Sequence, residues 1–496
     1  MTGGPRPGAG PTAAEACAGT LAESQAALSA GIDQAAHCVG TAAPVVLAVS
    51  GGPDSLALLL AAASLRDHRH TDAPQFLVVT VDHGLRPEAA AEAAFVAAIA
   101  AAHGLPHRTM RLALPLPPGN VPAAARRGRY DLLLEAAGDA GASMIVTAHH
   151  EDDQFETHLH ALARKAGPVG LAAMRPVRDL APGIVLLRPF LGVPGARLKA
   201  LVAASGIDAV DDPTNHDPRY ERTWLRIQRA ASGDDHAWLR GDIAQSQRRR
   251  DVLEAAQAGF IYAAEASGAL RLGDAGVLRV DRQAFRQLDE STAFAFLARA
   301  LTAVSGDDYA PGGDSVQRLQ AALASSSGRV ASTLGGAMVD ADPDTITFLR
   351  EFGRSGIATV QTGKAHAALF DGRFLVDVPE GFSPADTRLV AFGSLGRGNP
   401  VERTMPVLIG DAGLLAVPAA LAAKAPDDLP RLDVVSLVRW RLLRDLPQES
   451  GSAVPTGEKA ASGFAANAPG RVGKAGDSPY LPRKRLSGLG RLPQED

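Results

Sequence analysis

The chain has 496 residues, 46% hydrophobic and 21% charged, a balance that fits a folded globular protein and argues against a disordered or collagen-like one. Its formal net charge of −4 announces no nucleic-acid partner, so any basic surface must be local. Only two cysteines, Cys17 and Cys38, argue against a disulfide framework and against a Cys-ligated zinc or iron–sulfur site.

In chain order, residues 1–42 are Ala-rich with scattered Gly and Pro. The stretch 20–36 reads as a short helix inside an extension dispensable for chemistry. The Gly/Pro-rich start lacks the apolar core of a signal peptide, and the longest apolar stretch, 56–65, is far short of the roughly 20 residues that span a bilayer. With so few cysteines, a cytoplasmic protein with no membrane partner is expected. From residue 44 the pattern changes. The apolar run 45–49 ends in Ser-Gly-Gly and reads as a buried parallel strand. A helix over 55–65 follows, then a strand at 76–81, a helix at 87–104, a strand at 107–112, a helix at 121–140, a strand at 143–148 and a helix at 151–165. This alternation predicts βαβ units and a parallel sheet covered on both faces. Right-handed crossovers bring segments 50–55, 82–86 and 149–156 to one edge of that sheet. Segments 185–189, 193–206 and 211–220 close the domain. A mainly helical stretch, 224–268, carries Arg226, Arg229, Arg240 and the run Arg248, Arg249, Arg250. Short strands, turns and helices alternate from about 270 to 445, and a tail rich in Gly, Ser, Pro and Ala reads as disordered.

The strongest chemical signal is Ser50, Gly51, Gly52, Pro53, Asp54 and Ser55. It is a strand, a tight glycine turn and a helix start. The glycines allow close approach of a ligand, and free N–H groups at the helix start point at an anion. Ser50 and Ser55 add hydroxyl donors. Asp54 would repel bare phosphate, and makes sense as a Mg²⁺ ligand or a helix cap. An ordinary capped turn is the competing reading. No Gly-x-x-x-x-Gly-Lys-Ser/Thr string occurs, which argues against a Walker-type kinase or GTPase. The string resembles the SGGxDS loop of the PP-loop ATP pyrophosphatases. That resemblance implies cleavage of ATP between the α and β phosphates, transfer of AMP to a carbonyl oxygen, and displacement of AMP by a nucleophile.

A second cluster, His149, His150, Asp152, Asp153 and Glu156, sits at a strand-to-helix junction. Asp152 and Glu156 are i, i+4 and Asp153 and Glu156 are i, i+3, so the three acids can share one face. They would repel one another without a cation, either Mg²⁺ or a substrate ammonium. A carboxylate there could take the proton an amine must lose before attack. The competing reading is that acids in a first turn merely favour the helix dipole. Zinc held by His149 and His150 is a weaker idea, since adjacent residues rarely share one ion.

With Gln154 and Thr157 this cluster is similar to the signature of the tRNA(Ile)-lysidine synthetases. Other pieces follow in the family's order: Asp82, His83, Gly84 and Arg86 with Glu88; Ala125, Arg126, Arg129 and Tyr130; Gly170, Leu171 and Met174; Arg188 and Pro189; Asp212, Asn215, Asp217, Tyr220 and Arg222. The resemblance covers about 44–230, and 411–418 is similar to a segment of the family's C-terminal domain. The chain departs from it in two places: Lys165 and Ala166 stand within a loop that is usually Arg-Gly-Ser-Gly, and Thr223 stands where Asn is usual. The resemblance implies an α/β parallel-sheet PP-loop domain (adenine nucleotide alpha hydrolase-like, Rossmann-like) over 43–222, a helical tRNA-contacting subdomain over 223–300, a small α+β domain over 301–445 and a tail over 446–496.

It further implies that ATP adenylates the C2 carbonyl oxygen of the wobble cytidine in tRNA(Ile) with a CAU anticodon. Free L-lysine then displaces AMP to give lysidine. Ser50 to Ser55 would hold ATP, with Asp54 and Asp153 toward Mg²⁺. Asp152 and Glu156 would hold the lysine amines. His150 would lie near the α-phosphate or cytosine, and Arg126 and Arg129 would contact the nucleotide or stabilise the adenylated carbonyl. Arg188, Asn215 and Arg222 would contact substrate. Arg226 and Arg248 to Arg250 are candidate phosphate contacts, and Arg483, Lys484 and Arg485 would add unspecific RNA affinity. Dimerisation is common in the family, so a homodimer is expected. Competing readings are a PP-loop tRNA thiolase, for which cysteines near the site are lacking, an amidating enzyme of small-molecule synthesis, and a catalytically inactive tRNA-binding protein.

Overall fold

The computed structural model describes residues 13–40, 43–69, 74–84, 88–112, 121–210, 236–362, 367–379, 381–382 and 386–448. The first unit is built on α1 (Ala13–Val39), β1 (Val45–Ala48), α2 (Pro53–Arg69), β2 (Phe76–Asp82), α3 (Ala89–Ala102), β3 (His107–Arg111), α4 (Val121–Ala140), β4 (Met144–Val146), α5 (Glu151–Ala163), α6 (Pro168–Leu171), β5 (Val177–Ala181), β6 (Ile184–Leu187) and α7 (Gly195–Ala204). Six strands form one sheet in the order β3-β2-β1-β4-β6-β5. All neighbours are parallel except the β5–β6 hairpin at the edge. The central strands are nearly continuous apolar runs because helices cover both faces. One core holds Leu47, Val78, Val146 and Leu187, and the opposite one holds Val46, Val79, Ile145 and Leu186. The chain leaves β1 toward β2 on one side and returns to β4 on the other. A crevice therefore opens beyond the C-terminal ends of β1 and β4, where ligands bind in such sheets.

The N-terminal stretch corrects an expectation. The helix runs 27 residues, and Leu28, Ile32 and Ala35 are buried in the same core as β1 and α2. Gly31 lets it approach the sheet so closely that a Cβ there would lie 3.0 Å from Leu187 Cδ1. Small residues gave this helix little hydrophobic contrast in sequence, yet they are what allows the close packing.

Strands begin at 270, as the sequence pattern has it, inside the span expected as a helical subdomain. The long helix α8 (Ala237–Ser267) is followed by β7 (Leu270–Leu272), β8 (Leu278–Asp281), α9 (Arg282–Arg286), α10 (Glu290–Ser305) and α11 (Gly313–Ser325), then β9 (Val330–Leu334), β10 (Ala337–Ala341) and β11 (Thr345–Arg350). The strands form an antiparallel sheet, β7-β8-β11-β10-β9, whose core is shared by α8, α10 and α11. The expected division at 300 therefore falls inside one core. Arg282, fully buried, donates to the carbonyls of Leu323, Ser326, Gly328 and Asp342 and ties the unit together. The remaining strands are β12 (Val360–Gln361), β13 (Ala367–Phe370), β14 (Phe374–Asp377), β15 (Arg388–Ala391), β16 (Pro406–Gly410), β17 (Gly413–Pro418) and β18 (Arg431–Ser436). They form a seven-stranded sheet, and α12 (Val438–Leu443) returns to the α10 core.

The first two units meet at the helix that carries the acids. Arg240 of α8 donates from Nε to Glu151 Oε1 at 2.7 Å and from Nη2 to Oε2 at 2.9 Å. His158 of α5 lies 3.0 Å from Asp242 Oδ2, and Phe155, Leu239 and Ile243 bury one another between the helices.

Candidate active site

The turn after β1 has the shape its sequence requires. Gly51 sits at φ +90°, a region unfavourable for side chains, and a Cβ there would press on Val210 and Val96 at 3.2 and 3.3 Å. Pro53 opens α2, where its missing N–H costs nothing. Ser55 Oγ accepts from Ser50 N–H at 3.1 Å, lies 3.4 Å from Ser50 Oγ, and donates to Gly52 O at 2.9 Å. The turn is closed by these bonds, with the start of α2 aimed at the crevice, which suits an anionic ligand.

Across the crevice, His150 caps α5 in a reciprocal box. Its Nδ1 accepts from Asp152 N–H at 3.2 Å, while Asp153 Oδ2 accepts from His150 N–H at 3.0 Å. With Nδ1 used as an acceptor, the ring proton sits on Nε2. That nitrogen lies 3.4 Å from Asp54 Oδ2 and 3.7 Å from Asp153 Oδ2. Burial lowers the His150 pKa, but the Asp54 hydrogen bond and the Asp153, Asp54 and Asp152 charges outweigh it and leave the pKa raised. One imidazole thus bridges a carboxylate of the glycine turn and one of the acidic helix.

Asp54 Oδ1 is buried and accepts no hydrogen bond among the described residues, a costly state for a carboxylate oxygen unless a cation reaches it. Among the described residues no three His, Cys, Asp or Glu side chains form a metal cage. Magnesium does not need one, since it is usually held by one or two carboxylates, water and substrate phosphates. Asp54, with Asp153 on the other side of His150, fits that requirement.

A family model described as a PP-loop domain matches residues 25–230. The tRNA(Ile)-lysidine synthase of Methylobacterium nodulans is 42% identical over 273 residues, covering 53% of this chain and 78% of that protein. That of Bradyrhizobium sp. BTAi1 is 40% identical over 59% of this chain and 86% of that protein. The Rhodopseudomonas palustris protein of the same name is 41% identical over 60% and 87%.

The chain belongs to the tRNA(Ile)-lysidine synthase family.

A second group of the family's residues gathers beside this pair. Arg188 is 5% exposed, with Nη1 donating to Arg175 O at 2.9 Å and a buried Nε that has no partner among the described residues. Arg126 stacks over the Tyr130 ring at 5.3 Å. Arg129 Nη2 reaches His83 Nε2 at 2.9 Å. Burial pushes the His149 imidazole down to about 4, and Arg188 and Arg126 reinforce the effect, so this ring is neutral. Its Nδ1 pairs with Thr147 Oγ1 at 2.8 Å. Arg188 and Arg126 act on the same imidazole as Asp153, so these cations and the acidic helix meet around His149. Glu156 is buried deeper, at 3% exposure.

Some expectations change. Arg250 is not an outward phosphate contact: it is 6% exposed, 3.0 Å from Asp251 Oδ1 and 3.9 Å from Glu254 Oε2. Arg248 and Arg249 remain exposed. In the loop that departs from the usual lysidine synthase sequence, Lys165 takes a left-handed turn at φ 52°, at a cost of about 1 kcal/mol. Asn215, Arg222 and Arg226, and the basic tail, lie outside the described residues.

Gly195 is a residue the sequence reading missed. It opens α7, and a Cβ there would fall 2.7 Å from Asp152 Oδ2, 2.7 Å from His150 Cε1 and 3.0 Å from His150 Nδ1. Its φ is ordinary, so nothing but this close approach calls for glycine. The available signal was a Gly placed directly after Pro194 at a helix start, where a better helix former would otherwise serve.

Proposed function

We propose that this chain joins free L-lysine to the wobble cytidine of a CAU-anticodon tRNA(Ile) at a single site, at the expense of ATP. It is an ATP-dependent ligase that forms a carbon–nitrogen bond. The observation that carries the reading is the meeting of Asp54, from the glycine turn, with Asp153, from the acidic helix, at 3.4 and 3.7 Å from one imidazole nitrogen. A nucleotide loop and an amine-binding helix serve one reaction only if they share a site.

ATP lies with its pyrophosphate against Ser50, Gly51, Gly52 and Ser55, its charge balanced by the start of α2. The C2 carbonyl oxygen of cytosine attacks the α-phosphorus, an oxygen–phosphorus bond forms, and pyrophosphate leaves with the electron pair of the broken bond. Asp54 and Asp153 would hold Mg²⁺, whose positive charge would help to offset that of the triphosphate. Arg126 and Arg129 face the base and orient it, with Arg188 and the neutral His149 behind them. Asp152 and Glu156 bind the ammonium groups of lysine, and a carboxylate takes the ε-proton as the amine is freed. The amine attacks C2, the C2–N bond forms, the C2–O bond breaks, and AMP departs. The target base must leave its stack to reach these groups.

A thiolase reading finds no support near the site: Cys17 and Cys38 both lie on α1, before the first strand. No helix among the described residues is long and apolar enough to cross a membrane, and a cytoplasmic homodimer remains part of the proposal.

The deciding experiment incubates the protein with ATP, lysine and tRNA(Ile) transcript, then analyses the nucleosides by mass. Lysidine formed with pyrophosphate release, only when lysine and the CAU anticodon are both present, is the expected result. Release with ammonia or a sulfur donor instead, or no turnover at all, would overturn it.

A further inference from the structure

Among the described residues, helix α8 has one face committed and one exposed. Leu239, Ile243, Ser246, Arg250, Glu254 and Gln257 are buried on its inner side. Trp238, Gln245, Arg248 and Val252 follow at spacings of seven, three and four residues and so form one outward stripe, with Arg249 at its border. Trp238 is 52% exposed and Val252 73%. Among the described residues, neither Arg248 nor Arg249 has a carboxylate within ion-pair distance, whereas the adjacent Arg250 is paired. The helix thus neutralises its inward cation and leaves its outward ones open.

We propose that this stripe docks the single-stranded RNA beside the modified nucleotide, with Trp238 stacking on an unpaired base and Arg248 and Arg249 holding backbone phosphates. The assignment rests on the proposed function. The stripe begins at the catalytic helix. Two residues before Trp238, the His236 ring packs edge-on against Phe155 at 5.7 Å, and two residues after it, Arg240 grips Glu151. Phe155 and Glu151 belong to the same helix as Asp152, Asp153 and Glu156. From Trp238 to Arg248 the helix rises about 15 Å at 1.5 Å per residue, roughly the length of four stacked nucleotides. An aromatic platform followed by unpaired cations matches the way single strands are held without reading their sequence. A second copy of the chain fits less well, because a two-fold contact centred on the stripe would bring Arg248 and Arg249 of both copies together.

The test measures the affinity of the full chain for a tRNA(Ile) transcript with the CAU anticodon, together with lysidine formation. Trp238→Ala is expected to weaken binding about tenfold, and Trp238→Phe, which keeps a stacking face, by much less. Tryptophan fluorescence quenched by added tRNA in the wild type should lose that component in Trp238→Ala, although Trp224 and Trp440 remain. Arg248→Gln with Arg249→Gln should reduce the slope of log Kd against log salt by about 1.5 to 2. A wild-type chain that neither modifies nor binds the transcript would sink the functional reading and this assignment with it. A wild type that makes lysidine, alongside variants that bind tRNA as tightly as it does, would overturn the stripe alone. Unchanged RNA affinity with a dimer converted to monomer would do the same and mark the stripe as a contact between copies.

Discussion

Adding one methyl group at Gly195 should separate activity from stability. The new Cβ would lie 2.7 Å from Asp152 Oδ2 and 2.7 Å from His150 Cε1, where ordinary non-bonded contacts are about 3.5–4.0 Å. The backbone at Gly195 needs no positive φ, and Ala favours a helix by about 0.5–1 kcal/mol over Gly, so that gain partly offsets an overpacking cost of about 1–3 kcal/mol. Folding is then expected to change by no more than about 2 kcal/mol. The site cannot absorb the methyl so easily, because the His150 ring is tied to Asp152 N–H on one side and faces Asp54 and Asp153 on the other. A shift of about 1 Å in groups that position reactants costs roughly 100-fold in rate. The assay is tRNA- and lysine-dependent pyrophosphate release, read beside a thermal melt. Gly192→Ala is the control, since nothing lies within 4 Å of a Cβ there. A folded Gly195→Ala enzyme turning over within about threefold of wild type would refute the claim that this contact sets the geometry of the catalytic carboxylates.

Asp54→Asn and Asp153→Asn should each lower turnover by at least about 100-fold, and chelation should abolish activity that added Mg²⁺ restores. Pyrophosphate release in a magnesium titration checks this, and activity that survives chelation would count against the two acids as ligands. Burial pushes the Asp131 carboxyl up to about 7, with Asp308 adding to the effect and Arg127 opposing it. A carboxyl whose folded pKa exceeds its unfolded value holds a proton that the unfolded chain has lost, so stability falls as pH rises from about 4 to 7. Asp131→Asn should therefore gain on the wild type across that window, measured as the urea midpoint at several pH values, and a constant difference would contradict it. Lys165→Gly relieves the left-handed strain and should raise the thermal midpoint, the local gain being about 1 kcal/mol.

Much of the first domain was readable because its central strands are buried on both faces. Runs such as Val45–Ala48 and Phe76–Asp82 allow no exposed alternative, and the helix over Val121–Ala140 has the bounds expected of it. The glycine turn and the acidic helix start were legible for a related reason: each needs particular residue types in fixed order. What stayed hidden depends on contacts between distant segments. The packing of Leu28 and Ile32 is visible only once Leu187 is beside them, and the demand for glycine at 195 only once His150 and Asp152 are. The antiparallel sheet after residue 270 is built from strands of three to six residues whose exposed positions alternate with buried ones, so no single strand carries a strong signal. Arg250 looked like its two neighbours because a run of like residues does not reveal which of them a helix turns inward.

The Phe155, Leu239 and Ile243 contact bears on modularity. Where a reader of the sequence would cut the chain, between the nucleotide-binding module and the helical stretch that follows it, the energetics place no seam. A shortened chain ending before α8 would leave Phe155 in water and Glu151 without its guanidinium, on the very helix that carries Asp152 and Asp153. Exposing a side chain of that size costs about 1.5–3 kcal/mol, charged to the first turn of the acidic helix. Such a fragment would lack the helix that steadies its carboxylates, so the acidic helix is complete only with α8 beside it.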